Sequence, residues 1–153
     1  MAVLLVRHAV ALARRKWNDA DDLRPLTPRG VAQAEALPEA LADYEIRRIL
    51  SSPSVRCVDT VRPFAKDRRL DVDETTDLAE GSTYLAVALV RGCASTPSVL
   101  CSHGDVIPHV LDALVAKDGV DLGPDPKCAK GSMWAMEFED GRCVAARYIP
   151  PPA

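Results

Sequence analysis

What this 153-residue sequence lacks closes several common routes to function. It has no long apolar run near its start: Val3-Leu4-Leu5-Val6 is followed at once by Arg7, too short a stretch for a signal peptide or a membrane span. Neither secretion nor a membrane partner is expected. The five cysteines, Cys57, Cys93, Cys101, Cys128 and Cys143, are odd in number and hold no C-x-x-C pair. That argues against a disulfide framework or a zinc knuckle and fits reduced thiols in a cytoplasm. None is followed by the C-x-x-x-x-x-R spacing with which thiol phosphatases cradle phosphate, so core packing accounts for them better. Gly-x-Ser-x-Gly and the phosphate-loop pattern G-x-x-x-x-G-K are missing too, which removes the common serine hydrolase and nucleotide-loop readings. There is no excess of basic charge: a formal net charge of -3 and a pI near 5.6 speak against a nucleic-acid polymer as partner, so any anion site must be local. Internal repeats and low-complexity segments are absent.

What is present is globular, with 48% hydrophobic and 27% charged residues in a length that suits one domain over residues 1–153. Val3 to Val6 is a continuous apolar run with β-branched ends and predicts a strand buried on both faces, with Arg7 and His8 at its carboxyl end. Ala9 to Leu26 lacks periodicity and is expected to be an irregular loop flanking a site. Thr27-Pro28 offers a capping hydroxyl and an N1 proline, and Val31, Ala34, Leu37 and Leu41 predict a helix over about Pro28 to Asp43. Ile46 to Leu50 predicts a second strand. Ser51-Ser52-Pro53 then turns into a helix with Val55, Val58, Val61 and Phe64 at core spacing and Arg56 in its first turn. A short strand around Leu70 to Val72, a polar loop over Asp73 to Thr83 and a helix over Tyr84 to Arg91 follow. Ser98 to Cys101 is a further apolar strand, ending in Ser102-His103-Gly104 and followed by a helix with Val106, Val110, Leu111, Leu114 and Val115 on one face. Met133 to Phe138 and Cys143 to Ile149 form a hairpin, and Pro150 to Ala153 a tail. The alternation predicts a three-layer α/β/α sandwich, its sheet mostly parallel with one antiparallel strand pairing.

In such sheets functional groups gather beyond the carboxyl ends of strands, and two apolar strands here end in histidine, as Arg7-His8 and Ser102-His103. A phosphoryl dianion repels most nucleophiles, so attack by His8 needs a neutral imidazole held close while cations offset the charge. Arg7, Arg56 and His103 would supply them, arginine's planar fork gripping phosphate oxygens as lysine cannot. A proton must reach the leaving group, and Glu80 in the loop after Leu78-Ala79 is the best-placed carboxyl, with Glu74 and Asp77 as alternatives. Arg14, Arg15 and Lys16 beside Trp17 either meet an anionic substrate or form a solvated run. Asp19, Asp21 and Asp22 read as a solvated loop cluster rather than a metal site, and no metal or other cofactor is expected. His109 is expected on the surface.

Five ordered segments resemble the histidine phosphatase, or phosphoglycerate-mutase-like, superfamily. Leu4-Leu5-Val6-Arg7-His8-Ala9 is similar to its opening R-H-G signature. Leu26-Thr27-Pro28-Arg29-Gly30-Val31-Ala32-Gln33-Ala34 resembles the L-T-x-x-G-x-x-Q-A helix start, and Ser51 to Thr60 the S-S-x-x-x-R-x-x-x-T segment. Leu78-Ala79-Glu80-Gly81 resembles the L-x-E-G loop, and Ser102-His103-Gly104 the late S-H-G. The resemblance implies a phosphohistidine intermediate on His8, phosphate clamping by Arg7, Arg56 and His103, an acid role for Glu80 and no metal requirement. Ala9 departs from the usual glycine. Alanine also occurs there in short bacterial phosphohistidine phosphatases and in phosphatase domains joined to Nudix hydrolases, which this chain resembles in length and in Asp22-Leu23-Arg24-Pro25-Leu26-Thr27. The cap insertions of larger phosphoglycerate mutases have no counterpart, so a shallow, open pocket is expected. The substrate would be a phosphorylated small molecule or a phosphohistidine protein. A different class, a catalytically weak module binding phosphorylated ligands in the same basic pocket, stays open, a mutase role is disfavoured, and the sequence carries no signal for an oligomeric state.

Overall fold

The computed structural model describes residues 1–152; Ala153, the last residue of the expected tail, lies outside the described residues. A single six-stranded sheet forms the middle layer, built from β1 (Ala2–Arg7), β2 (Arg48–Ser51), β3 (Val72–Glu74), β4 (Ser98–Ser102), β5 (Met133–Glu139) and β6 (Arg142–Ile149) in the order β3-β2-β4-β1-β5-β6. The first four run parallel, and only β5 opposes its neighbours, pairing antiparallel with both β1 and β6. The hairpin turn falls on Asp140-Gly141, both at positive φ, as a two-residue turn between right-twisted strands requires.

Helices α1 (Pro28–Ala40) and α2 (Val55–Arg68) cover one face, α3 (Tyr84–Gly92) and α4 (Val106–Asp118) the other. Each face has its own core. Leu4, Val6, Leu37, Leu41, Ile49, Val61 and Phe64 meet on one side, while Leu5, Leu100, Val90, Val110, Leu114 and Trp134 meet on the other. β4 is buried throughout and β1 from Val3 to Val6 because they lie between both layers. Of the cysteines, Cys57, Cys93, Cys101 and Cys143 are buried, Cys128 is half-buried, and all are free thiols. No helix of the described residues is long and apolar enough to cross a membrane.

Several boundaries differ from the sequence expectation for local reasons. α1 stops at Ala40 rather than Asp43 because the Arg68 guanidinium donates to the carbonyls of Leu41 and Tyr44, drawing them out of the helical ladder. β2 begins at Arg48, where its partner β4 begins. β3 starts at Val72 because Leu70 still donates back to Ala65, and left-handed Arg69 closes α2. Val31, expected in the core, is 44% exposed; Gln33 is buried instead and accepts the Val10 N–H at 3.0 Å. The loop Ala9 to Leu26 is irregular, as expected, apart from two single 3-10 turns, Arg14–Lys16 and Asp21–Leu23, and one bridge between Ala11 and Leu26.

Candidate active site

The chain leaves β1 for α1 on one face of the sheet and leaves the adjacent β4 for α4 on the other, which opens a crevice beyond their carboxyl ends. Register sets what meets there. Arg7 pairs with Ser102, and the His8 amide donates to the Ser102 carbonyl at 3.1 Å, so His8 and His103 emerge side by side with ring centroids 5.5 Å apart. The cleft they floor has a volume of about 450 Å³, and Arg7, Arg14, Arg24, Arg56, Glu80 and Lys130 are among the residues lining it.

His8 is 6% exposed, and its Nδ1–H donates to its neighbour's carbonyl, Ala9 O, at 2.8 Å. With the proton on Nδ1, the lone pair is on Nε2. Burial lowers the His8 pKa to about 3, the Ala9 carbonyl pulls it back up, and His103, Arg56 and Arg7 push it down again. The imidazole is accordingly neutral near pH 7.

Arg56, in the first turn of α2, is 1% exposed. Its Nη2 lies 3.3 Å from Glu80 Oε2 and 3.4 Å from His103 Nδ1, while its Nε has no partner. Arg7 donates from Nη1 to the Cys128 carbonyl at 2.6 Å, and its Nε is likewise buried without a partner. Buried Arg56 and half-buried Arg7 beside one neutral imidazole, each with a spare donor, suit a ligand rich in acceptor oxygens.

The remaining residues of the five segments brace this floor. Thr27 caps α1 by accepting the Gly30 N–H at 3.1 Å and also donates to the Val10 carbonyl. A Cβ on Gly30 would stand 2.0 Å from that carbonyl, so only glycine permits the approach. Ser52 Oγ is 2.8 Å from His103 Nε2, and Cys57 Sγ 3.5 Å from the same nitrogen. Thr60 Oγ1 accepts the Ala9 N–H at 2.9 Å and donates to the Arg56 carbonyl, joining the loop after His8 to α2. Ala9 itself is fully buried, so its methyl is accommodated. Ser102 Oγ donates to the Leu78 carbonyl at 2.7 Å, anchoring the Glu80 loop to β4. A Cβ on Gly104 would fall 2.6 Å from the Arg7 guanidinium carbon.

The cleft thus brings together Arg7, His8, Arg56, Glu80 and His103, with Arg14 on the rim in an ion pair to Glu80. Arg15 is exposed and does not line the cleft. Glu74 borders a separate depression beside β3, and Asp77 sits outside the cleft, leaving Glu80 and Asp105 as its lining carboxylates. His109 stacks edge-on against exposed Tyr84, away from the floor. Sequence reasoning missed Asp21, Arg24, Thr60, Asp105 and Lys130 as site residues. Of these, Thr60, at the end of the S-S-x-x-x-R-x-x-x-T segment, carried the one usable signal. Among the described residues no three His, Cys, Asp or Glu side chains converge as a metal site. Asp21 is engaged by arginines instead.

The family model of the histidine phosphatase superfamily (branch 1) matches residues 3–84. An 8-oxo-(d)GTP phosphatase of Mycolicibacterium smegmatis is 32% identical over 98% of this chain, which spans 48% of that protein's length. Among solved structures, the protein histidine phosphatase SixA complexed with tungstate superimposes with a TM-score of 0.78 at 21% identity, covering 100% of this chain and 97% of that one. A mycobacterial glucosyl-3-phosphoglycerate phosphatase complexed with VO3 gives 0.73 at 17% identity, with 97% of each chain covered. At such identities the two structures establish a shared fold, and the family model carries the assignment: the chain belongs to the histidine phosphatase superfamily.

Proposed function

We propose that this protein hydrolyses phosphomonoesters or phosphohistidine by way of a phosphoryl group carried on His8. The observation that supports it most is the neutral, buried His8 imidazole, its Nδ1 proton spent on Ala9 O, beside buried Arg56 and half-buried Arg7, each with an unpartnered Nε. In this reading Nε2 attacks phosphorus while Arg7, Arg56 and His103 hold the oxygens that gather charge. A unit-charge pair at 4 Å is worth roughly 4 kcal/mol at an effective dielectric of 20, enough for each arginine to govern the rate. Phosphate oxygens compete with Glu80 Oε2 for Arg56 Nη2, which frees that carboxyl to take up a proton and pass it to the leaving group as general acid. Water then attacks the phosphohistidine, gives its proton to the Glu80 carboxylate, and releases phosphate and the neutral His8 imidazole.

The relative named as an 8-oxo-(d)GTP phosphatase and the neighbour named as a protein histidine phosphatase bracket the substrate class without choosing within it. The test is turnover of p-nitrophenyl phosphate and of a phosphohistidine protein by the wild type and by His8→Ala. The reading expects hydrolysis lost in the variant; equal activity in both would remove His8 from the mechanism. A catalytically weak phosphate-binding module in the same cleft is the second reading, favoured by the carboxylates that already occupy Arg56. Phosphate-ligand binding without turnover or a trapped phosphoenzyme would select it. The cytoplasm, suggested by the free thiols, is the proposed location.

A further inference from the structure

Arg56 is buried and positioned, and most of what positions it is one residue of the loop between β1 and α1. Its Nη1 donates to the Asp21 carbonyl at 2.9 Å and its Nη2 to Asp21 Oδ2 at 3.2 Å. The other carboxylate oxygen of Asp21 accepts Arg24 Nε at 3.1 Å, and Arg14 Nε stands 3.6 Å away. Arg24 is itself fixed, 7% exposed and donating to the Leu12 carbonyl at 2.6 Å. The aspartates beside Asp21 differ from it. Asp19 accepts only the adjacent Ala20 N–H, and Asp22 has no ion pair among the described residues. Desolvation is the largest single influence and raises the Asp21 pKa, but Arg24, Arg56 and Arg14 together outweigh it and hold the carboxyl below the usual range, hence ionised.

We propose that Asp21 is the positioning residue of the phosphate clamp: it ties down both terminal nitrogens of Arg56, so that the guanidinium is held against the cleft, and its charge limits how tightly phosphate is retained. A guanidinium has five N–H donors. Asp21, Glu80 and His103 share the Nη2 pair and the Asp21 carbonyl takes one of the Nη1 pair, leaving one Nη1 proton and the Nη2 proton that Glu80 yields for an incoming oxyanion. The same carboxylate that orders the clamp opposes a dianion in it, which favours release of product phosphate. This assignment rests on the phosphatase reading of the cleft.

The experiment is calorimetric titration of inorganic phosphate into the full chain, with thermal midpoints of every variant and kcat on p-nitrophenyl phosphate measured alongside. Asp21→Asn keeps the shape and removes the charge, so it binds phosphate about three- to tenfold more tightly than wild type. Asp22→Asn removes the same charge one residue away, without contact to Arg56, and stays within about twofold. Asp21→Ala removes shape as well, and its kcat falls at least about tenfold below that of Asp21→Asn at a similar thermal midpoint. Phosphate binding by the wild type that Asp21→Asn leaves unchanged or weakens overturns the assignment alone. So do equal kcat values for Asp21→Ala and Asp21→Asn. Absence of phosphate binding in wild type and Asp21→Asn alike overturns the phosphatase reading and the assignment together.

Discussion

The floor and the rim of the cleft are held by different forces. His8 and His103 on the floor are 6% and 2% exposed and sit one residue past a hydrogen-bonded register of two central strands. On the rim, the side chains of Arg14 and Glu80 are 64% and 42% exposed and hold chiefly to one another and to Arg56. Backbone pairing in a buried sheet cannot slip by one residue without turning every core side chain to the wrong face. An exposed ion pair, by contrast, contributes typically under 1 kcal/mol. The floor is therefore rigid and suited to aligning an attacking nitrogen, and the rim is adaptable and suited to meeting varied leaving groups.

Changes to the floor sharpen this comparison first. Arg56→Ala is expected to lower kcat/KM by about two to three orders of magnitude, since it removes roughly 4 kcal/mol of charge stabilisation; Arg56→Lys, keeping the charge but losing the fork, should recover only part. Steady-state kinetics of the two variants checks this, and near-wild-type activity in Arg56→Ala would break the contrast. Next comes Gly30→Ala, whose new Cβ meets the Val10 carbonyl and costs about 1–3 kcal/mol or more of stability, read as a lowered thermal midpoint. Thr60→Val strands the buried Ala9 N–H and should destabilise by about 1–3 kcal/mol, with a matching loss of activity as the loop beside His8 loosens. Arg14→Ala is the smallest mutational effect, within about 1 kcal/mol in denaturant melts.

A pH profile probes the floor without mutation. Because burial holds His8 near a pKa of about 3, its imidazole stays neutral as pH falls through 6.5, so on the proposed mechanism its titration should give kcat/KM no acid limb there. The stability sign follows from linkage. Below 6.5 the unfolded chain protonates His8 while the folded chain does not, so the His8 contribution erodes stability progressively as pH drops from 6.5 toward 3. A kinetic limb near 6.5 that persists in a variant retaining His8 as its only histidine would instead place His8 in a far more hydrated setting.

The same division explains what was legible in the sequence. The floor is written locally: an apolar run that must be a buried strand, an N-capped helix start, a serine turn before an arginine, and a second apolar run ending in Ser102-His103-Gly104. Each sets the position of its own functional residue, and sheet register then brings them together. The rim depends on how a long loop crosses the mouth, which local preferences do not encode. Arg14 and Arg15 share one 3-10 turn, in which successive side chains diverge by about 120°, so at most one of the two could face the cleft. Asp21 looked like one member of a solvated cluster because its partners lie at Arg24 on one side and, 35 residues on, at Arg56. Glu80 is preferred to Glu74 and Asp77 from its own Leu78-Ala79-Glu80-Gly81 segment, and the Ser102 bond to the Leu78 carbonyl is the long-range contact that sets that loop beside the cleft.

The central claim is that the phosphoryl group passes through His8, and the most direct measurement is to trap it. Brief reaction with a phosphorylated substrate, quenching in base to preserve phosphohistidine, and peptide mass spectrometry locate the adduct. The account predicts one added phosphoryl group on His8, absent from His8→Ala. A phosphoryl group found on His103 or on a cysteine, or turnover with no adduct in wild type, would contradict it.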